Sequence, residues 1–266
     1  PLIAPELPNN IARDVVVGPT TDQGALYDAA VGEALDRIAH AEGIVRRGLV
    51  LALLTSLKQI CNHPAHYLDD GSALDGRSAK LEAFDDLIDS ASEARSDDRS
   101  EPTLVFTQYV VMAKLLASHL SERGISHAIL HGSLSPTERQ RLTDEFQAGH
   151  IDVLVCSLRA AGTGLTLTRA TQVIHYDRWW NPAVEDQATD RAHRIGQTAT
   201  VSVHRLISEG TLEERVAEVL GQKRQLAGAV MGTGVDGWIG GLNDGELGEL
   251  LRRQRPGGAA SSEDAA

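Results

Sequence analysis

TLVFTQYVVMAKLLASHLSERGISHAIL, residues 103–130, is the stretch on which the fold turns. It opens with a short apolar run, TLVFT at 103–107. A helical segment over 110–123 follows, and a second apolar run, HAIL at 127–130, closes it. Short apolar runs alternating with helical segments are the signature of a parallel sheet with crossover helices. The same alternation continues downstream through DVLVC at 152–156, QVIHY at 172–176 and VSVHRL at 201–206, with helices expected at 136–147 and 183–193. An α/β core over residues 78–206 results.

Working outward, residues 79–94 form an apolar-periodic helix. Before it lies a glycine and serine break at 70–78, and after it the charged stretch SEARSDDRSEP at 92–102 reads as a solvated loop. Residues 11–17 read as a short strand or extended linker within a leading segment, 1–22. Residues 23–67 are mostly helical, with Pro64 closing the segment, within a helical unit over 23–77. Past the core, Thr211 with Glu214 three residues on is a capping-box pattern that opens an amphipathic helix over 211–230, part of a C-terminal helical segment at 207–255. The last residues, 256–266, are Gly, Ala and Ser with two acids, a composition expected to be disordered. No internal repeat is visible.

Composition narrows the function classes. With 42% apolar residues in 266, the chain can bury a sizeable core and a smaller accessory one. Nowhere does it approach the roughly 18 consecutive apolar residues of a membrane span, and the first residues carry no secretory pattern, so a cytoplasmic location without membrane contact is expected. Cys61 and Cys156 are far apart in sequence and suggest neither a disulfide framework nor a paired-cysteine metal site. A net charge of −12 is unusual for a nucleic-acid binder, but it is unevenly spread. Residues 82–101 carry eight carboxylates against two arginines, whereas 157–205 carry six arginines against four acids. An anion site, if present, belongs to the later stretch.

Four constellations carry chemistry, three of them in that stretch. In QATDRAHRIGQ, 187–197, helical spacing would put Gln187, Arg191 and Arg194 on one face, where two guanidinium groups side by side suit an anion such as a transferring phosphoryl group. An Asp190 to Arg194 pair on a merely solvated face is the competing account. SLRAAGTGLTLTRA, 157–170, follows a strand, and Gly162 and Gly164 allow backbone to approach a nucleotide or a nucleic-acid phosphate closely. DRWWNP, 177–182, places two of the three tryptophans beside Arg178, a combination suited to stacking and phosphate grip. Against this, one tryptophan could pack under the C-terminal helix while Asn181 and Pro182 start the next helix. HGSLSPTERQ at 131–140 and FTQY at 106–109 are two further strand-end loops on the same expected edge. No GxxxxGK[ST] loop and no DExH-type magnesium acid occurs, so this stretch by itself cannot form a complete ATP site.

In order, LPNNIARD, LKQICNHP, SAKLEAF, TLVFTQYVVM, LHGSLSPTERQRLTDEF, SLRAAGTGLTLTRA, VIHYDRWWNPAVEDQATDRAHRIGQ and VHRLISEGTLEERV resemble the C-terminal helicase domain of Swi/Snf-type ATPases in helicase superfamily two, over about residues 6–225. The resemblance implies a RecA-like parallel sheet with flanking helices, an N-terminal helical protrusion and a C-terminal brace helix. It also implies ATP with magnesium, bound mainly by a preceding first lobe. Arg191 and Arg194 are similar to the family's arginine fingers, and Gln187 to a polar partner in the same cleft. Gly162 and Gly164 match the loop that couples nucleotide to DNA. Thr107, Gln108, His131, Gly132, Ser157, Arg159, Trp179 and Trp180 are similar to positions on the DNA-facing edge. Thr166 and Ala161 depart from the usual asparagine and glycine of the coupling loop. The compact protrusion resembles bacterial members.

On this reading the partners are the first RecA-like lobe and double-stranded DNA, with RNA polymerase or another DNA-bound protein as the further class admitted. Activity is then ATP-driven translocation on duplex DNA. LPNNIARD stands where the family's first lobe ends, so the phosphate loop is expected upstream of Pro1. The chain alone should hydrolyse ATP negligibly and bind DNA weakly. Two other classes compete: a non-catalytic nucleic-acid-binding or regulatory module, and a small metal-binding protein built on Cys61, His63 and His66.

Overall fold

The computed structural model describes residues 8, 10–93, 101–157, 165–179, 181–225 and 242–254. Six strands form one sheet in which every pairing is parallel: β1 (Asn10–Val17), β2 (Thr103–Thr107), β3 (His127–Leu130), β4 (Val153–Ser157), β5 (Gln172–His175) and β6 (Val201–Ser208). Their order is β1-β6-β5-β2-β4-β3. The five apolar runs of the sequence are all present. Residues 11–17, which read as either strand or linker, belong to the sixth strand, β1, which pairs with β6 from Asn10↔Val201 to Val17↔Ser208. This is an edge strand that buries little, with Ile11 46% and Val16 50% exposed, which is why the segment carries no strong apolar signal.

Both faces of the sheet are covered, as parallel sheets require. Alternate residues along a strand point to opposite faces. From β2 and β4, Leu104, Phe106, Leu154 and Cys156 join a core with Phe146 of α6 (Pro136–Ala148) and Ala188 of α7 (Pro182–Thr189). Val105, Val153 and Val155 join the opposite core with Phe84 and Ile88 of α4 (Ala79–Glu93) and Leu116 and Leu120 of α5 (Val110–Glu122). Both cysteines are buried thiols whose pKa is pushed up to about 12 by burial.

A third core lies outside the sheet. It joins α1 (Thr21–Ala39) and α2 (Gly43–Asn62) through Tyr27, Val31, Ile38, Leu54 and Leu57 to Leu212 and Val216 of α8 (Leu212–Gln225) and Leu247 and Leu251 of α9 (Asp244–Leu251). Helices that read as separate terminal segments thus share one interior. Pro64 does not end the helical segment as its sequence position suggests. His63 is extended, its Nδ1 accepts from Ala65 N, and Pro64 becomes the first residue of the short α3 (Pro64–Leu68), where its missing N–H costs nothing. Thr211 does cap α8 by accepting from Glu213 N. Glu214, however, accepts from Gly210 N rather than closing a box on Thr211. The C-terminal tail and the distal part of the 211–230 helix lie outside the described residues. Among the described residues no helix is long and apolar enough to cross a membrane.

Candidate nucleic-acid groove and arginine pocket

Because every strand runs the same way, the carboxyl ends of β2, β3, β4 and β5 open on one edge of the sheet, the usual place for ligands in such folds. There Gln108, His131, Gly132, Arg139, Ser157 and Trp179 surround a groove of about 800 Å³. Five of these six were expected on this edge. Arg139, within HGSLSPTERQ but not singled out there, lies in the first turns of α6, which starts at Ser135 and Pro136, and its guanidinium donates to the carbonyls of Gly132 (2.7 Å) and Leu134 (3.2 Å). A smaller cleft of about 220 Å³ adjoins it, sharing Gln108 and Trp179, with Leu51, Thr55 and Lys58 of α2 as its other wall. Lys58 donates at 2.7 Å to the Arg178 carbonyl. The groove therefore combines polar side chains, a partly buried indole and nearby cations, suited to a nucleic-acid backbone with a stacked ring.

Thr107 departs from its expected place on the open edge. It is fully buried, and its hydroxyl donates to Asp177 beyond the end of β5. The same carboxylate accepts from Gln108 N at 3.0 Å and from Asn62 Nδ2 at 3.2 Å. Asn62 in turn accepts at 3.3 Å from Lys80 Nζ, which pairs at 2.7 Å with Glu213 of α8 and donates at 3.1 Å to Tyr176 O. LKQICNHP, SAKLEAF, FTQY, HYDR and GTLEER thus meet in one buried polar network under the groove. With both Lys80 and Glu213 at most 1% exposed, each charge depends on the other for compensation. Burial pushes the Tyr176 phenol up, and its hydroxyl donates to Asn62 O at 3.2 Å.

Arg178 also differs from expectation. Rather than facing phosphate, it is 4% exposed and forked onto Glu185, with Nε to Oε1 at 2.9 Å and Nη2 to Oε2 at 3.2 Å. Trp179 packs against the sheet-face core, not under α8. Asn181 and Pro182 do start α7, the Asn181 side chain accepting from Ala183 N at 3.1 Å.

The arginine segment is not one helix. α7 ends at Thr189, where the sequence suggests continuation to 193, so Gln187, Arg191 and Arg194 do not share a helical face. The chain then turns through residues 190–197, held by Asp190 N to Asp186 O (2.9 Å), His193 N to Thr189 O (3.1 Å) and Leu167 N to Arg191 O (2.9 Å), with Gly196 at φ 105°. The turns still bring Gln187, Asp190, Arg191, His193 and Arg194 around one hollow of about 450 Å³. Arg191 is only 9% exposed, and its buried Nε meets no acceptor among the described residues. Arg194 is exposed, and no Asp190 to Arg194 ion pair forms among the described residues. His193 Nε2 lies 2.6 Å from the Pro8 carbonyl and must donate to it, since a carbonyl only accepts. Arg159, Gly162, Gly164 and Trp180 lie outside the described residues. Of the three side chains offered for a metal, Cys61 is a buried thiol, His63 caps α3 through Nδ1 and holds its Nε2 2.9 Å from Leu74 O, and His66 packs edge-on to Tyr109.

Residues 79–196 match the helicase conserved C-terminal domain. A putative ATP-dependent helicase/translocase of Bacillus subtilis, YwqA, is 41% identical over 252 residues, covering 94% of this chain and 27% of that protein. A mouse SWI/SNF-related regulator of chromatin, subfamily A member 1, is 33% identical over 224 residues, covering 80% of the chain and 21% of the relative. The chain spans only about a quarter of the length of these curated relatives. Among solved structures, the Sulfolobus solfataricus SWI2/SNF2 ATPase core in complex with dsDNA superposes with a TM-score of 0.81 at 38% identity, over 93% of this chain and 51% of that one. The C-terminal domain of the Sulfolobus solfataricus SWI2/SNF2 ATPase superposes with a TM-score of 0.78 at 34% identity, over 93% of this chain and all of that one. With a RecA-like parallel sheet of matching extent, and identity of this level over a whole solved domain, the chain belongs to the SWI2/SNF2 ATPases as their C-terminal helicase lobe.

Proposed function

We propose that this chain is the second motor lobe of an ATP-dependent double-stranded DNA translocase, in which Arg194 and Arg191 stabilise the transferring phosphoryl group and the strand-end groove tracks the DNA backbone. The observation that carries this reading is the arginine pocket. A guanidinium held nine-tenths buried with an unmet Nε, beside a second, exposed one, is a costly arrangement unless an anion completes it. Gln187 is a polar partner on the same wall. ATP with its magnesium is bound mainly by the preceding lobe. When bound, the nucleotide supplies the phosphoryl group, and this lobe supplies donors to its developing charge. Support for the DNA side is that Gln108, His131, Gly132, Ser157 and Trp179 line one groove, and that the similar Sulfolobus solfataricus core is solved in complex with dsDNA.

The test is Arg194→Ala in the two-lobe protein. A group whose hydrogen bonds strengthen as charge moves onto the phosphoryl group contributes more to the transition state than to ground-state binding. Turnover should collapse while ATP affinity and melting temperature hold. Near-normal turnover with a lowered melting temperature would make Arg194 structural and remove the phosphoryl-transfer reading of this pocket.

A further inference from the structure

We infer that Glu185 is a positioning residue that couples the DNA groove to the arginine pocket. This rests on the reading of the two hollows given above. Residues 177–194 run from the wall of one to the wall of the other: Trp179 lines the groove, α7 follows, and Arg191 and Arg194 line the pocket. Two hollows on one segment respond to each other only if the segment moves as a unit. Glu185 makes it one.

Its carboxylate is 1% exposed and sits in the first turn of α7. One oxygen accepts from the Trp179 backbone N–H at 2.8 Å and from Arg178 Nε at 2.9 Å, and the other accepts from Arg178 Nη2 at 3.2 Å. Arg205 of β6 adds a second cation, Nε to Oε2 at 3.7 Å, and both arginines reach Asp14 of β1, at 3.4 Å from Arg205 and 3.8 Å from Arg178. The two strands on the outer side of the sheet thus brace the joint, and the backbone that carries the tryptophan hangs directly on the helix. A neutral side chain of the same shape could accept the Trp179 hydrogen bond but could not balance the buried Arg178 guanidinium or the partly buried one of Arg205.

Downstream, the helix hands any displacement on without slack. Thr189 at its end holds His175 Nε2 at 3.0 Å, and the turn that carries Arg191 is tied back to α7 by the Asp190, Ala192 and His193 amides. Arg191 lies six residues past Glu185 and two past the end of α7 at Thr189. Pressure on the indole is passed through the 179 amide to Glu185, and through α7 to the guanidinium groups. Misplacement of a reacting group by about 1 Å can cost on the order of a hundredfold in rate, so a small shift suffices.

Coupling is a ratio, and the experiment reads one: ATP turnover of the two-lobe protein with saturating duplex DNA divided by turnover without DNA. Glu185→Gln should lower this stimulation ratio about tenfold, within the roughly 5- to 150-fold span of ordinary site-to-site coupling, with the ATP KM changed less than about threefold. A residue that merely stabilises the fold would scale both rates together. An unchanged ratio, or a fall in both rates that leaves it constant, overturns the inference. Should Glu185→Gln not fold, Glu185→Asp keeps the charge but draws the carboxylate back, releasing the Trp179 N–H. It should lower the ratio in the same direction, and a wild-type ratio in that variant overturns the inference equally. Arg194→Ala measured alongside separates the readings. If that variant keeps its turnover, the arginine assignment fails. If it loses turnover while Glu185→Gln keeps its ratio, only the coupling fails.

Discussion

The strand-end groove and the arginine pocket lie on one lobe and are built in opposite ways. Beneath the groove the buried charges Asp177, Lys80 and Glu213 have partners within the chain: Asp177 accepts from Thr107, Gln108 and Asn62, and Lys80 is compensated by Glu213. In the arginine pocket Arg191 keeps a buried Nε without an acceptor among the described residues, and Arg194 is exposed. Under the groove these charges are met before any ligand arrives, although the Ser157 hydroxyl on its wall is buried without a partner among the described residues. The pocket is left open, as a donor set would be that makes its hydrogen bonds only when charge develops opposite it. The contrast predicts that substitutions under the groove act on stability first, and substitutions in the pocket on rate.

The largest effect should come from Lys80→Met, which leaves Glu213 buried without its cation. A loss of roughly 3–5 kcal/mol is expected in denaturant unfolding of the intact protein. A change under about 1 kcal/mol would mean that water reaches Glu213 and that the network is not closed. Next is Arg194→Ala, for which the turnover loss should be on the order of 10³, with unfolding midpoints unmoved. If instead it destabilises as Lys80→Met does, the two regions are not built differently. Trp179→Ala comes third. Its indole walls the groove proposed to track the duplex backbone, so loss of that contact, worth about 1 kcal/mol, should weaken duplex affinity at fixed salt roughly fivefold. Affinity equal to wild type would leave the groove as a feature of shape alone.

The smallest effect concerns the opposite face of α5. Hydrogen bonding to Asp85, with Asp75 adding to it, raises the His119 pKa above its usual value, against burial and the nearby Arg123, which lower it. A raised folded-state pKa contributes stability that is fully present below the unfolded value of about 6.5 and is lost as pH rises through the folded value. The His119 contribution should therefore fall on raising pH from about 6 to 8, against His63, His66 and His204, whose lowered pKa values make stability rise over the same range, so Asp85→Asn should make melting temperature rise more steeply with pH than in the unsubstituted protein. An identical slope in the variant would assign the pH dependence to other groups. Neither hollow contains these residues, so ATP turnover should not share the profile.

Much of this was legible from residue order. Apolar runs such as TLVFT and DVLVC announce buried parallel strands because both of their faces are covered, so no alternation interrupts them. Asn181 with Pro182, and Ser135 with Pro136, mark helix starts through local chemistry that needs no partner elsewhere. Edge strand β1 was ambiguous because a strand that buries little carries little pattern. Thr107 and Arg178 were misplaced onto the open edge for a related reason. A polar residue at a strand end looks the same whether it faces solvent or a buried carboxylate, and Asp177 and Glu185 became their partners only once β2, β5 and α7 were side by side.

By itself, then, the sequence determined the class of sheet, the helix starts, the family and the residue types available for phosphate and nucleic acid, because these depend on periodicity and on neighbours a few positions apart. Tertiary structure alone decided that α7 stops at Thr189 and that Arg191 and Arg194 still converge across a turn. It also brought Lys80 to Glu213, 133 positions away. Burial is the physical reason. A charge withdrawn from water must be met by another charge or by hydrogen bonds, and which one meets it depends on distances in space that the order of residues does not contain.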